Sequence, residues 1–132
     1  MDNKKAALRS ELLKLRRVAS CINLEISHLS GYDEFRKAKV IFCYISAHGE
    51  VETRNLISKL LKEKTVVVPY CTDKEGNMIC VKINSSDDLK DGMFGIPEPK
   101  NPVEFSKEEI DFVIVPGVAF DKNGYRLGYG NG

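Results

Sequence analysis

The sequence predicts an α/β fold organised around a mainly parallel central sheet, and three observations carry that expectation. Residues 40–45, 65–69 and 110–115 are strongly apolar runs rich in β-branched side chains, as expected of strands buried on both faces. Between the first two runs, apolar residues recur at helical spacing, which makes a strand–helix–strand unit with parallel strands. No run approaches the roughly 20 apolar residues of a membrane-spanning helix, so these runs belong to a folded core.

Taken in chain order, residues 4–18 place Leu8, Leu12, Leu15 and Val18 at spacings of four, three and three. That is one stripe of a helix, with Lys4, Lys5, Arg9, Lys14, Arg16 and Arg17 on its other faces. A second helix is expected over 20–29 through Ile22, Ile26 and Leu29, stopped by Ser30-Gly31. A short third helix is expected over 32–37. The first strand covers 40–45. Thr53 is the expected cap of a helix running to Leu61, with Leu56, Ile57, Leu60 and Leu61 on one side. After the strand at 65–69, residues 73–77 have turn composition and 78–83 alternate as a further strand. The stretch holding Gly92, Gly95, Pro97, Pro99 and Pro102 reads as loop, and the strand at 110–115 stops at Pro116-Gly117. No repeat or linker divides the 132 residues, so a single domain is expected.

Composition excludes several function classes. Hydrophobic residues are 42%, charged residues 30% and the net charge is +1, which favours neither disorder nor a nucleic-acid binder. Any cationic site must be local. The four cysteines, Cys21, Cys43, Cys71 and Cys80, show no CxxC spacing, and the charged start lacks a secretory apolar segment. A reduced, cytoplasmic protein that engages neither membrane nor nucleic acid is expected.

Chemistry concentrates in three places. Residues 116–132 hold five of the ten glycines, directly beyond a buried strand, where α/β sheets place ligands. Gly128, Gly130 and Gly132 let backbone N–H groups approach a polyphosphate, and Arg126 adds a planar donor fork. The same glycines also suit a flexible turn, and no GxxxxGK[ST] sequence is present. Lys5 and Arg9, four apart, project from one helix face toward a shared anion or toward solvent. Glu50 stands at the carboxyl end of the first strand, where it either accepts ligand N–H groups or complements the following helix dipole. His48 lies beside it without a partner and receives no role.

Together these segments resemble the 5-formyltetrahydrofolate cyclo-ligase family, also called methenyltetrahydrofolate synthetases. The resemblance is carried by Lys5-Ala6-Ala7-Leu8-Arg9, Glu50-Val51-Glu52-Thr53, Phe94-Gly95-Ile96-Pro97-Glu98-Pro99 and Pro116-Gly117-Val118-Ala119-Phe120-Asp121. Its most specific stretch is Gly124-Tyr125-Arg126-Leu127-Gly128-Tyr129-Gly130. It implies a three-layer α/β sandwich of the NagB/RpiA/CoA-transferase kind, C-terminally truncated, with residues 1–132 as one incomplete domain. It further implies an enzyme that uses ATP and Mg2+ to convert 5-formyltetrahydrofolate to 5,10-methenyltetrahydrofolate, releasing ADP and phosphate, as a monomer or weak oligomer.

By the same resemblance, ATP is held by Lys5, Arg9, Arg126, Leu127, Gly128, Tyr129, Gly130, Asn131 and Gly132, with Arg126 also catalytic. The reduced folate is held by Ile45, Glu50 and Phe94. The family's glycine loop continues into two tyrosines and a magnesium-binding aspartate, whereas this sequence ends at Gly132, so no metal ligand is assigned. Asn131 stands where some relatives carry a basic residue, and Cys71 lies near a place where relatives offer a tyrosine. A non-catalytic folate- or nucleotide-binding homologue, or an inactive fragment, is the alternative. A sugar-phosphate or CoA enzyme of similar layout would lack the loop.

Overall fold

The computed structural model describes residues 3–18, 22–47, 49–92 and 95–128. In chain order it contains helices α1 (Asn3–Val18), α2 (Ile26–Leu29) and α3 (Asp33–Lys37), strand β1 (Val40–Cys43) and helix α4 (Arg54–Leu60). Strands β2 (Thr65–Cys71), β3 (Met78–Ile83), β4 (Leu89–Asp91), β5 (Pro97–Pro99), β6 (Phe112–Ile114), β7 (Ala119–Phe120) and β8 (Arg126–Leu127) follow.

Four strands form the main sheet in the order β3-β2-β1-β6. The central strand β1 runs parallel to both β2 and β6, and β3 adds antiparallel to β2. The sheet is therefore mainly parallel, as the apolar runs predict. Helix α4 supplies the crossover that parallel neighbours require. A tight turn suffices between β2 and β3, where Gly76 takes a φ of 97° and the Asp73 carboxylate accepts the Glu75 N–H at 2.8 Å.

The register places Ile41 beside Val66 and Phe112, so these side chains point to one face. On that face the buried Ile41, Cys43, Val66, Val68, Ile83 and Ile114 meet Leu56, Ile57 and Leu60 of α4 and Phe35 of α3. The three apolar residues of α4 recur at helical spacing, so one side of the helix is removed from water at about 1.5–3 kcal/mol per side chain. Phe35 packs edge-on to Phe112 at 5.7 Å. Lys64 closes the far end of α3 by donating to the carbonyls of Phe35 and Ala38 at 3.1 and 2.6 Å.

The structure corrects three expectations. In α1, Arg9, Leu12, Leu13 and Arg16 are half-buried, whereas Leu8 and Leu15 are 47% and 56% exposed. The helix therefore turns an i, i+3, i+4, i+7 face inward that contains two arginines, and the Leu8–Leu15 stripe faces out. Residues 22–25 are not helical. Leu24 N–H donates to Glu52 O at 2.8 Å and Glu52 N–H to Ile22 O at 2.7 Å, and this ladder holds the segment extended. The expected loop around Pro97 contains the antiparallel pair β4–β5, and β7–β8 forms a second hairpin inside the glycine-rich segment.

Candidate functional site

The loop between β1 and α4 is fixed by a buried polar network. Thr53 is fully buried, and its Oγ1 donates to the Tyr44 carbonyl at 2.7 Å while accepting the Ser46 N–H at 3.0 Å. The Thr53 N–H donates to Ser46 Oγ at 3.0 Å, and that hydroxyl donates to Glu52 Oε1 at 2.6 Å. Thr53 holds the N-cap position of α4, yet its hydroxyl binds back to the strand instead of capping the helix. Buried polar groups satisfied in this way fix one loop shape. Burial alone would raise the Glu52 pKa, but the Ser46 hydroxyl, the Arg54 and Thr53 backbone N–H groups and the Arg54 guanidinium outweigh it and hold the carboxyl below its ordinary range.

Within this loop, Glu50 Oε1 accepts the Ala47 N–H at 2.9 Å, and the Glu50 N–H donates back to the Ala47 carbonyl at 3.1 Å. The reciprocal pair orients the half-buried carboxylate. Gly49, just before it, has a φ of 80°, a conformation that favours glycine. Ile45, buried two residues beyond β1, lines a cleft of about 340 Å³ with Arg54, Ile57, Ser86, Lys90 and Pro97. Glu50 does not line this cleft. It lies in the loop between Ile45 and Arg54, which both do. Phe94 lies outside the described residues, although the β4–β5 hairpin whose loop carries it forms one cleft wall.

The basic half of the site is built by α1 and the β7–β8 hairpin. Arg9 Nε donates to the Gly128 carbonyl at 2.7 Å. Arg16, seven residues on and so on the same helix face, donates from Nη2 to the carbonyls of Gly117 at 2.8 Å and Val118 at 3.4 Å. Arg126 Nη1 donates to the Pro116 carbonyl at 2.6 Å. A Cβ on Gly117 would stand 2.9 Å from both Arg126 Cγ and Phe120 Cζ, so the bare backbone there admits the arginine stem. The hairpin turn is closed by Asp121, whose Oδ1 accepts the N–H groups of Asn123 and Tyr125 at 2.8 and 2.9 Å.

The structure thus brings Arg9 to Gly128 at the hairpin's exit. The Arg9 and Arg126 guanidinium groups each carry five N–H donors, so one carbonyl contact leaves further donors for an anion. Lys5 is exposed one helical turn before Arg9. Leu127 is half-buried in β8, its carbonyl accepting the Val118 N–H at 2.7 Å. Tyr129, Gly130, Asn131 and Gly132 lie outside the described residues. Hydropathy spacing places Arg16 only among the basic residues on the outer faces of α1, whereas the structure turns it inward. Its Cγ and Cδ lie 3.1 Å from where a Gly49 Cβ would stand, so this side chain touches both the Glu50 loop and the hairpin.

A profile of the 5-formyltetrahydrofolate cyclo-ligase family matches residues 1–132. The chain belongs to this family. It is 32% identical over 139 residues to the 5-formyltetrahydrofolate cyclo-ligase of Haemophilus influenzae, covering 98% of this chain and 74% of that protein. The mitochondrial 5-formyltetrahydrofolate cyclo-ligase of Arabidopsis thaliana is 34% identical over 115 residues, which are 74% of this chain and 42% of the plant protein. Among solved structures, the 5,10-methenyltetrahydrofolate synthetase of Aquifex aeolicus superposes with a TM-score of 0.82 at 36% identity, covering 97% of this chain and 68% of that one.

The cyclo-ligase family is a family of ligase enzymes of folate metabolism, and this member has the mixed α/β frame described above. Its described cysteine thiols are all shifted toward the protonated form. Burial pushes the Cys43 thiol up to about 12, and burial first, then nearby carboxylates, also raises Cys71 and Cys80. All three thiols are free. Among the described residues, no group of three or more His, Cys, Asp or Glu side chains is placed to hold a metal ion, and no helix is long and apolar enough to cross a membrane.

Proposed function

We propose that this cyclo-ligase-family chain binds ATP and 5-formyltetrahydrofolate and converts them to 5,10-methenyltetrahydrofolate, ADP and phosphate. The observation that carries the reading is the placement of Arg9 and Arg16 on one face of α1. Arg9 meets the glycine hairpin at Gly128, and Arg16 meets both its base at Gly117 and Gly49 beside Glu50. A cationic, glycine-rich element and a carboxylate loop therefore share one helix, as a reaction between a polyphosphate and a pterin requires.

On this reading the formyl oxygen attacks the γ-phosphorus and the bond to ADP breaks. The neighbouring folate nitrogen closes on the formyl carbon and gives up its proton to solvent, the C–O bond breaks and phosphate leaves. Lys5, Arg9 and Arg126, with backbone N–H groups of residues 127–132, stabilise the transferring phosphoryl group. Glu50 accepts the pterin's N–H groups, while Ile45 and Phe94 cover apolar ring surface. Holding both substrates in line removes roughly 7–11 kcal/mol of barrier, so the chain supplies position and charge, not a nucleophile. The described residues offer no metal cluster. On this reading Mg2+ accompanies the ATP phosphates.

Residues 1–132 act here as one domain of a cytoplasmic enzyme, monomeric or weakly oligomeric. Incubation with 5-formyltetrahydrofolate, ATP and Mg2+ tests the proposal. Growth of the methenyl absorbance, with one ADP and one phosphate per product, is expected; no product from this chain or from a version extended to the relatives' length overturns it. A second reading is a non-catalytic binder of the same ligands. Calorimetric binding of both without turnover selects it.

A further inference from the structure

We propose that Arg16 is a positioning residue that couples the glycine hairpin to the Glu50 loop, so that a ligand at one is felt at the other. The proposal rests on the assignment of nucleotide to the hairpin and folate to the acid loop.

Arg16 reaches two segments that are remote in sequence from each other. Its Nη2 donates to the Gly117 carbonyl at 2.8 Å and the Val118 carbonyl at 3.4 Å, 101 and 102 residues away. Its Cγ and Cδ meanwhile lie 3.1 Å from the position a Cβ of Gly49 would occupy. A guanidinium that bonds two successive carbonyls is fixed in both reach and plane, so its stem is held in the space beside Gly49 that a side chain there would need. Gly49 has a φ of 80°, and its backbone leads directly into Glu50, whose carboxylate is turned toward the Ala47 N–H. At the other end, Gly117 follows Pro116, whose carbonyl holds Arg126 at 2.6 Å. Any movement of Arg126 toward a bound anion pulls on the segment that Arg16 grips, and the same side chain transmits it to Gly49.

Calorimetry tests this on the chain itself, with a non-hydrolysable ATP analogue plus Mg2+ and with 5-formyltetrahydrofolate, each titrated alone and in the presence of the other. In the parent, each ligand is expected to tighten the other at least about fivefold, the lower end of ordinary coupling between sites. In Arg16→Met, which keeps the stem and removes the donors, that factor falls to about one while each separate affinity changes by less than about threefold. Arg16→Lys, which keeps charge but loses the planar fork, gives an intermediate factor. An unchanged factor in Arg16→Met overturns the proposal, as do separate affinities that fall in proportion with the melting temperature. If Arg16→Met does not fold, an unchanged factor in Arg16→Lys overturns it equally. A parent that binds both ligands without mutual tightening refutes the coupling alone, whereas a parent that binds neither refutes the functional assignment and the coupling with it.

Discussion

Arg9 on α1 donates from Nε to the carbonyl oxygen of Gly128 at 2.7 Å, joining residues 119 positions apart. The bond places a charged fork at the mouth of the glycine segment. Arg9→Ala is expected to weaken ATP about ten- to hundredfold, the range of a lost charged hydrogen bond, and folate by less than about threefold. Arg9→Lys restores only part, because an ammonium cannot both hold the carbonyl and fork onto a phosphate. Lys5→Ala and Arg126→Ala should act in the same direction. Titration calorimetry reads all four, and equal losses of both ligands would mean unfolding instead.

Glu50 should show the opposite selectivity. Glu50→Ala removes the acceptor for pterin N–H groups while leaving the hairpin cations in place. Folate affinity is expected to fall about tenfold or more and ATP affinity to stay within about threefold. Glu50→Gln, which keeps one oxygen acceptor, should recover part of the loss.

Thr53 anchors the acid loop by accepting the Ser46 N–H and donating to the Tyr44 carbonyl. Thr53→Val fills the same space but leaves both backbone groups without that hydroxyl. The expected cost is about 1–3 kcal/mol per unsatisfied buried group, read as a lower urea midpoint with little change in slope. Folate affinity should fall further than ATP affinity, since the Glu50 loop loosens.

Cys43 should be chemically silent while the chain is folded. Burial raises its thiol to about 12, so at pH 8 almost none is thiolate, the form that reacts. Iodoacetamide should modify Cys43 only after urea unfolding, with the modified residues read by mass spectrometry. Rapid native labelling at this position would contradict the buried placement.

Glu52 links the loop to acid stability. Its pKa is depressed from the ordinary 4.5, so the unfolded chain binds a proton more readily than the folded one. The stabilisation from this group is therefore complete above about pH 5 and is lost as the pH falls through its folded value. Glu52→Gln should flatten the fall in melting temperature between about pH 5 and pH 3.

The sheet was legible because β-branched runs such as Val66-Val67-Val68 have few other uses, and α4 was legible because Leu56, Ile57 and Leu60 share a face. The inward face of α1 was not. A hydropathy pattern counts arginine as exposed, yet Arg9 and Arg16 lie inward because their stems pack and their ends bond carbonyls. The i, i+7 spacing of the two arginines was the available signal. Residues 22–25 escaped because pairing with Glu52, remote in sequence, overrode local helical spacing. The β4–β5 strands were concealed by Pro97 and Pro99, which strands tolerate at an edge. At the site, family resemblance named Arg9, Arg126 and Glu50, while Arg16 required knowing that Gly49 and Gly117 approach the same helix.

Helix α1 is docked through guanidinium links and two half-buried leucines, with Leu8 and Leu15 turned to water. Detaching it hydrates little additional hydrocarbon, so that step carries a small heat-capacity increment and a shallow response to denaturant. Scanning calorimetry should therefore show a low, broad shoulder ahead of the main endotherm. A polyanion clasped by the helix's cations would draw that shoulder into the principal peak.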